Sequence, residues 1–134
     1  MPEGRLARKP AKLSFEAAAV LVASIISSRG LRDKGKIRPG HEVLINGTSG
    51  VGTSAVQIAK SFGAEVTAVC SARNLATARS IGLSTIGSQK MGLMRIASPN
   101  QKDWVTVKEL VEAGKIAPVS DRSYPLADAA EAMR

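Results

Sequence analysis

Aromatic residues are scarce in this 134-residue chain, with two Phe, one Trp and one Tyr. That excludes a core built on large rings and disfavours a stacking platform for single-stranded nucleic acid, so Ala, Val, Ile and Leu must do the packing. Cysteine occurs once, at Cys70, which excludes an intramolecular disulfide, and no CxxC or HxxxH spacing exists to hold a zinc ion. The expectation is a chain with no metal, suited to a reducing cytoplasm. Long apolar runs are missing too: the longest, Ala17 to Ile26, is about half of what a bilayer span needs. The polar, charged residues ahead of it do not resemble the end of a signal peptide, so no membrane partner is expected.

Acidic residues are in deficit, 11 against 19 Lys plus Arg, giving a formal net charge of +8. Such a surface attracts polyanions: nucleic acid, acidic lipid or phosphorylated cofactors. Five of the cations, Arg29, Arg32, Lys34, Lys36 and Arg38, are interspersed with Gly30, Gly35, Pro39 and Gly40, the composition of a solvated loop. Apolar residues nevertheless make up 44% of the chain, enough for one core in one domain.

Hydrophobic spacing supplies the elements. Ser14 can cap a helix from Phe15 to about Ser28, with Glu16 in its first turn and Gly30 as a stop. Its nearly unbroken apolar run predicts burial on several sides. Glu42-Val-Leu-Ile-Asn46 reads as a buried parallel strand, and the turn Gly47-Thr-Ser-Gly-Val-Gly52 follows at once. A helix starts at Val51, with Ala55, Ile58, Ala59 and Phe62 on one face, and closes at Gly63. A second strand spans Glu65 to Cys70, and a short helix runs from about Arg73 to Ile81. Residues 83–90 carry no signal, Met91 to Ala97 reads as a strand, and a helix runs from about Asp103 to Ala113 with Gly114 at its end. Ile116 to Val119 reads as a short strand, and Asp128 lies in the first turn of a last helix. The organisation is one α/β domain over 1–134: a leading helix and basic loop to residue 40, a βαβ unit over 41–82, and a strand and helix remnant over 83–134.

The glycine turn carries the strongest chemical signal. A helix N-terminus offers backbone N–H groups without intrahelical partners and the positive end of the helix dipole, which suits a phosphate. The dinucleotide fingerprint GxGxxG uses its first Gly for the turn, its second for pyrophosphate approach and its third for helix packing. Gly47 and Gly52 fill the first and third places, Ser49 stands in the second, and Gly50 is placed to compensate. Thr48 and Val51 complete the turn as further cofactor-contact candidates. The P-loop pattern GxxxxGK[ST] fits less well, because Thr53 stands where Lys would reach the β- and γ-phosphates. A glycine turn serving backbone geometry alone is the bland alternative.

Cofactor choice is read at the end of the second strand, where an acid would bind the NAD ribose hydroxyls. Cys70-Ser71-Ala72-Arg73 offers instead a hydroxyl and a guanidinium, which suit a ribose 2′-phosphate and so favour NADP; Arg73 as a solvated residue is the alternative.

Several stretches together resemble a known family. They are Lys9-Pro-Ala-Lys-Leu-Ser-Phe-Glu-Ala-Ala-Ala19, Leu31-Arg-Asp-Lys-Gly-Lys-Ile-Arg-Pro-Gly40, Val43 to Lys60 through the glycine turn, Gly63-Ala-Glu-Val-Thr67, Ser98-Pro-Asn100, Glu112-Ala-Gly-Lys115 and Pro118-Val-Ser-Asp-Arg-Ser-Tyr-Pro-Leu126. This ordered set is similar to the medium-chain dehydrogenases/reductases, in their zinc-free, quinone-oxidoreductase-like branch. The resemblance implies a partial Rossmann-type, doubly wound parallel sheet and NADPH-dependent hydride transfer to a carbonyl, quinone or alkene. It also implies pyrophosphate contact at Gly47, Gly50 and Gly52, and 2′-phosphate contact at Ser71 and Arg73.

Departures from the family pattern carry expectations of their own. The family turn has a serine followed by Gly-Gly-Val-Gly, whereas Ser49 is followed by Gly50-Val51-Gly52, and Ala23 to Ser28 replaces a stretch with a Gly-Thr pair near the nicotinamide. The family's barrel domain is missing before Met1, strands three to five are skipped after Leu83, and the usual final strand is missing after Arg134. The first strand, Val43 to Ile45, is then expected to have an open edge that invites self-association or pairing with Met91 to Ala97. No acid–base or nucleophile arrangement is visible; His41 lies at the end of the strand opposite the glycines, and the Tyr124 setting looks structural. Impaired catalysis with residual cofactor binding is one functional expectation. A basic interaction module on a reused βαβ scaffold, with nucleic acid as its candidate partner, is the other.

Overall fold

The computed structural model describes residues 7–83, 85–87, 101–120 and 122–132. The leading helix is broken in two: α1 (Phe15–Ala19) and α2 (Leu21–Ser28) meet at Val20. Ser14 caps α1, its hydroxyl accepting from the Ala17 N–H at 3.2 Å. The expected burial on several sides holds for α2, where five of eight residues are buried and only Val22 is exposed, but not for α1, which buries none. Gly30 does not stop the helix. The chain continues as a wide π turn, Arg29–Lys34, in which the Gly35 N–H reaches back to the Gly30 carbonyl at 2.8 Å.

Strand β1 (Glu42–Asn46) leads through the glycine turn into α3 (Gly50–Ser61), which ends before Gly63 at a positive φ of 78°. Strand β2 (Glu65–Val69) follows, then a 3₁₀ turn (Ala72–Asn74), α4 (Leu75–Ser80) and β3 (Thr85–Gly87). The last of these lies where the sequence carried no signal. The sheet is parallel throughout, in the order β1-β2-β3, with Ile45 beside Ala68 and Val69 beside Gly87. Helix α5 (Gln101–Glu112) and α6 (Ala129–Ala132) complete the set.

Strand β1 is a sheet edge, paired only with β2 among the described residues. It is therefore not the buried strand that its Val-Leu-Ile run suggested: Val43 and Ile45 are half-buried, while Glu42, Leu44 and Asn46 are exposed. Strand alternation explains the pattern, because Ile45 joins Val56, Ala68, Ala78 and Leu83 beneath α3 and α4, and Leu44 points to the opposite face. The expected partner strand, Met91 to Ala97, lies outside the described residues.

A second cluster unites distant parts of the chain: Leu21 and Ile25 of α2, Ile58 of α3, Val107 and Val111 of α5, and Ile116. The expected strand Ile116 to Val119 is not one. Gln57 takes the place of a neighbouring strand, donating to the Ala117 carbonyl at 3.1 Å and accepting the Ala117 N–H at 2.8 Å. A side-chain amide carries the same donor and acceptor pair as a peptide, so it satisfies this backbone against a helix instead.

Candidate functional site

The C-terminal end of a parallel sheet, where a strand gives way to a helix N-terminus, is where α/β folds bind ligands. Here the turn between β1 and α3 occupies that end. The Gly47 N–H donates to the Val69 carbonyl at 2.7 Å, which ties the turn to the end of β2 and brings residues 47–52 beside Cys70 and Ser71.

Each glycine has a separate reason. Gly47 and Gly50 have positive φ, 101° and 31°, and nothing lies within 4 Å of the position that a Cβ would take, so their backbone faces open space. At Gly52 a Cβ would overlap the Gly47 carbonyl oxygen and lie 2.5 Å from its carbon. Only glycine lets the first turn of α3 approach the end of β1 this closely.

Ser49 is the N-cap residue of α3, exposed, and its side chain makes no capping hydrogen bond. Its carbonyl accepts the Gly52 N–H at 2.7 Å, closing the turn. Thr48 is buried, and its hydroxyl finds no partner among the described residues. Val51 is exposed at the mouth of the turn. Ser71 precedes the 3₁₀ turn and Arg73 lies within it, both exposed at the same end of the sheet. Backbone open to solvent at Gly47 and Gly50, next to the α3 N-terminus, is the kind of geometry that a phosphate group needs.

Of three buried serines in α2 to which sequence reasoning gave no role, Ser27 donates to the Val51 carbonyl of this turn at 2.7 Å, Ser24 donates to the Ser54 hydroxyl of α3 at 3.0 Å, and the Ser28 hydroxyl finds no partner among the described residues. Their spacing of three and four residues, which marks one helix face, was the available signal. Between α2 and the edge of β1 that is unpaired among the described residues runs a groove of about 640 Å³, lined on one side by Ile26, Ser27, Gly30 and Leu31 and on the other by residues 43–47.

Of the five cations in the basic cluster, Lys34, Lys36 and Arg38 are exposed as a solvated loop would have them, but Arg29 and Arg32 are not. Arg32 lies 3.2 Å and Arg29 3.7 Å from the buried carboxylate of Asp103 in α5, and Arg32 also donates to Thr106 at 3.0 Å. Arg32 binds Asp33 at 2.6 Å as well, and that hydrogen bond holds the Asp33 carboxyl below the usual carboxylate range. These two arginines thus fix α5 against the π turn, which removes them from a nucleic-acid footprint. His41 is exposed at the opposite end of β1, and Tyr124 is exposed beside Arg122.

Comparison with known proteins agrees with this geometry. A family described as zinc-binding dehydrogenase matches residues 41–134. A zinc-type alcohol dehydrogenase-like protein of Schizosaccharomyces pombe is 32% identical over 119 residues, covering 85% of this chain and 34% of that protein. Among solved structures, an NAD-dependent alcohol dehydrogenase is 39% identical, with a TM-score of 0.59 over 64% of this chain and 26% of the other. The enoyl reductase JamJ matches in fold, with a TM-score of 0.78 at 21% identity over 96% of this chain and 61% of the other. The chain spans 4%, 18% and 34% of the lengths of three curated relatives that it matches.

Proposed function

The chain belongs to the zinc-binding dehydrogenase family of medium-chain dehydrogenases/reductases, and from that premise we propose that it holds the adenosine and pyrophosphate part of NADP(H) for an oxidoreductase. The observation that carries this reading is the Gly47 to Gly52 cradle at the α3 N-terminus, where two glycine backbones face open space and the third permits close packing. Gly47, Thr48, Ser49, Gly50, Val51 and Gly52 would surround the pyrophosphate, and Ser49 would donate its hydroxyl to it. Ser71 and Arg73 would contact the ribose 2′-phosphate; the charge of Arg73 and the lack of an acid there favour NADP over NAD.

When bound, the nicotinamide supplies the hydride, and the substrate class is a carbonyl, quinone or activated alkene. The protein's own part is to bind and orient. Among the described residues no group of three or more His, Cys, Asp or Glu side chains gathers as a metal site. Among the described residues no helix is long and apolar enough to cross a membrane.

Calorimetric titration with NADPH and NADH tests the reading. NADPH is expected to bind more tightly, and Arg73→Ala to weaken NADPH by about 10- to 100-fold, the range for one charge-assisted bond, while leaving NADH unchanged. Absence of binding by either nucleotide, or equal affinities unaffected by Arg73→Ala, would overturn it.

A further inference from the structure

We propose that Ser27 is a positioning residue for the glycine turn: through a chain of hydrogen bonds, its hydroxyl fixes and strengthens the backbone donors that the start of α3 offers an anion. The turn has little else to hold a phosphate with. From Asn46 to Gln57 the chain carries no Lys, Arg or His, so affinity there must come from backbone N–H groups and the helix dipole. The N–H groups of Gly50 and Val51 come too early in α3 for an intrahelical acceptor. Both residues are exposed, and neither N–H has an acceptor among the described residues.

A serine inside a helix can donate back to the carbonyl four residues earlier. Ser27 has that option in Ala23, at 3.0 Å, but the Val51 carbonyl lies closer, at 2.7 Å, and a hydroxyl has one proton to give. The shorter contact takes it, so the bond runs from α2 into the first turn of α3. Ser27 is buried, which keeps bulk water from competing for that proton.

From Val51 the chain of bonds passes from peptide to peptide. The Val51 carbonyl shares its peptide with the Gly52 N–H, which donates to the Ser49 carbonyl at 2.7 Å. The Ser49 carbonyl shares its peptide with the Gly50 N–H. A peptide whose oxygen accepts a hydrogen bond becomes a stronger donor at its nitrogen, by about 10–30% per bond. Ser27 thus polarises Gly52, and Gly52 polarises Gly50. Thr53, also buried, acts one peptide along: its hydroxyl donates to the Gly50 carbonyl at 2.8 Å, in the peptide that bears the Val51 N–H. The same bonds hold these peptide planes in place before a ligand arrives, which lowers the ordering cost of binding. That the anion is a cofactor pyrophosphate rests on the reading above; the chain of bonds does not.

Two measurements on the full chain test the proposal. The first needs no nucleotide. In Ser27→Ala the backbone amide resonances of Gly52 and Gly50 are expected to shift, Gly52 the more. Ser24→Ala removes a similarly buried hydroxyl, bonded to Ser54 outside the turn, and should leave both in place. The second compares ligands by titration. NADPH affinity is expected to fall about 3- to 10-fold in Ser27→Ala, the range for one neutral hydrogen bond, while adenosine 2′-phosphate, which has no pyrophosphate for the turn to hold, binds as before. Ser27→Thr keeps the hydroxyl and Ser27→Val has the same shape without it, so this pair separates the proton from the volume and decides the matter if Ser27→Ala loosens the fold. The Thr variant is expected to bind NADPH like the wild type, and the Val variant to bind it as weakly as the Ala variant. Unmoved Gly50 and Gly52 resonances, an equal loss for both ligands, or a Val variant that binds NADPH like the Thr variant overturns the proposal. Moved resonances in a protein whose wild type binds no nucleotide support the chain of bonds and sink the cofactor reading alone.

Discussion

A methyl group at residue 52 would have to share space with the Gly47 carbonyl oxygen. Gly52→Ala must open the turn or slide α3 along β1, and we expect a loss of about 2–4 kcal/mol in urea unfolding, together with loss of nucleotide binding. Gly47→Ala and Gly50→Ala meet no neighbour and are strained only by positive φ, at about 1–2 kcal/mol each. Equal losses at all three would contradict the close approach. The acid limb of stability is also set by single residues. Arg32 lowers the Asp33 carboxyl below its ordinary value of 3.8, so the folded state holds this proton less tightly than the unfolded one. Its contribution is present above that value and is lost as pH falls through the lower folded value. Because the Asp33 side chain is 43% exposed the effect is small, and Asp33→Asn should slightly flatten the stability profile below about pH 4 and leave neutral pH nearly unchanged.

At the scale of elements, the π turn and α5 stand or fall together. Arg32→Ala removes the nearer of two guanidinium partners of a buried carboxylate. Breaking a buried pair costs about 3–5 kcal/mol, and with Arg29 still in place we expect about 2–4, read by denaturation and by faster hydrogen exchange in α5 than in α3. Uniform protection in both helices would contradict this. The turn also marks where the sequence stopped being legible. β1, α3, β2 and α4 were readable because local spacing, Gly63 and the fingerprint glycines report neighbours close in the chain. Gly30 read as a stop because its locality suggests one, but the partner that keeps the helix winding is Asp103, over 70 residues away. Ile116 to Val119 has the composition of a strand, yet Gln57 supplies its hydrogen bonds. In the site, the glycines were visible and the serine face of α2 beneath them was not recognised, since serine at helical spacing looks like a polar surface until α3 covers it.

Across the whole molecule, two clusters divide the packing. Ile58 is fully buried where α2, α3 and α5 meet, and Ile58→Ala should cost about 2–5 kcal/mol, whereas Leu126→Ala, at 92% exposure, should stay within about 0.5 kcal/mol. Trp104, the lone tryptophan, packs against the helical cluster, so its fluorescence follows that transition and chemical unfolding can read it directly. The reach of the Arg32 to Asp103 link bears on the chain during synthesis. At about 5–20 residues added per second, Asp103 is made roughly 4–14 s after Arg32. For that interval α2 has emerged without the helix that covers Leu21 and Ile25, and a nascent chain in that state is a substrate for whatever holds exposed apolar helices near the ribosome.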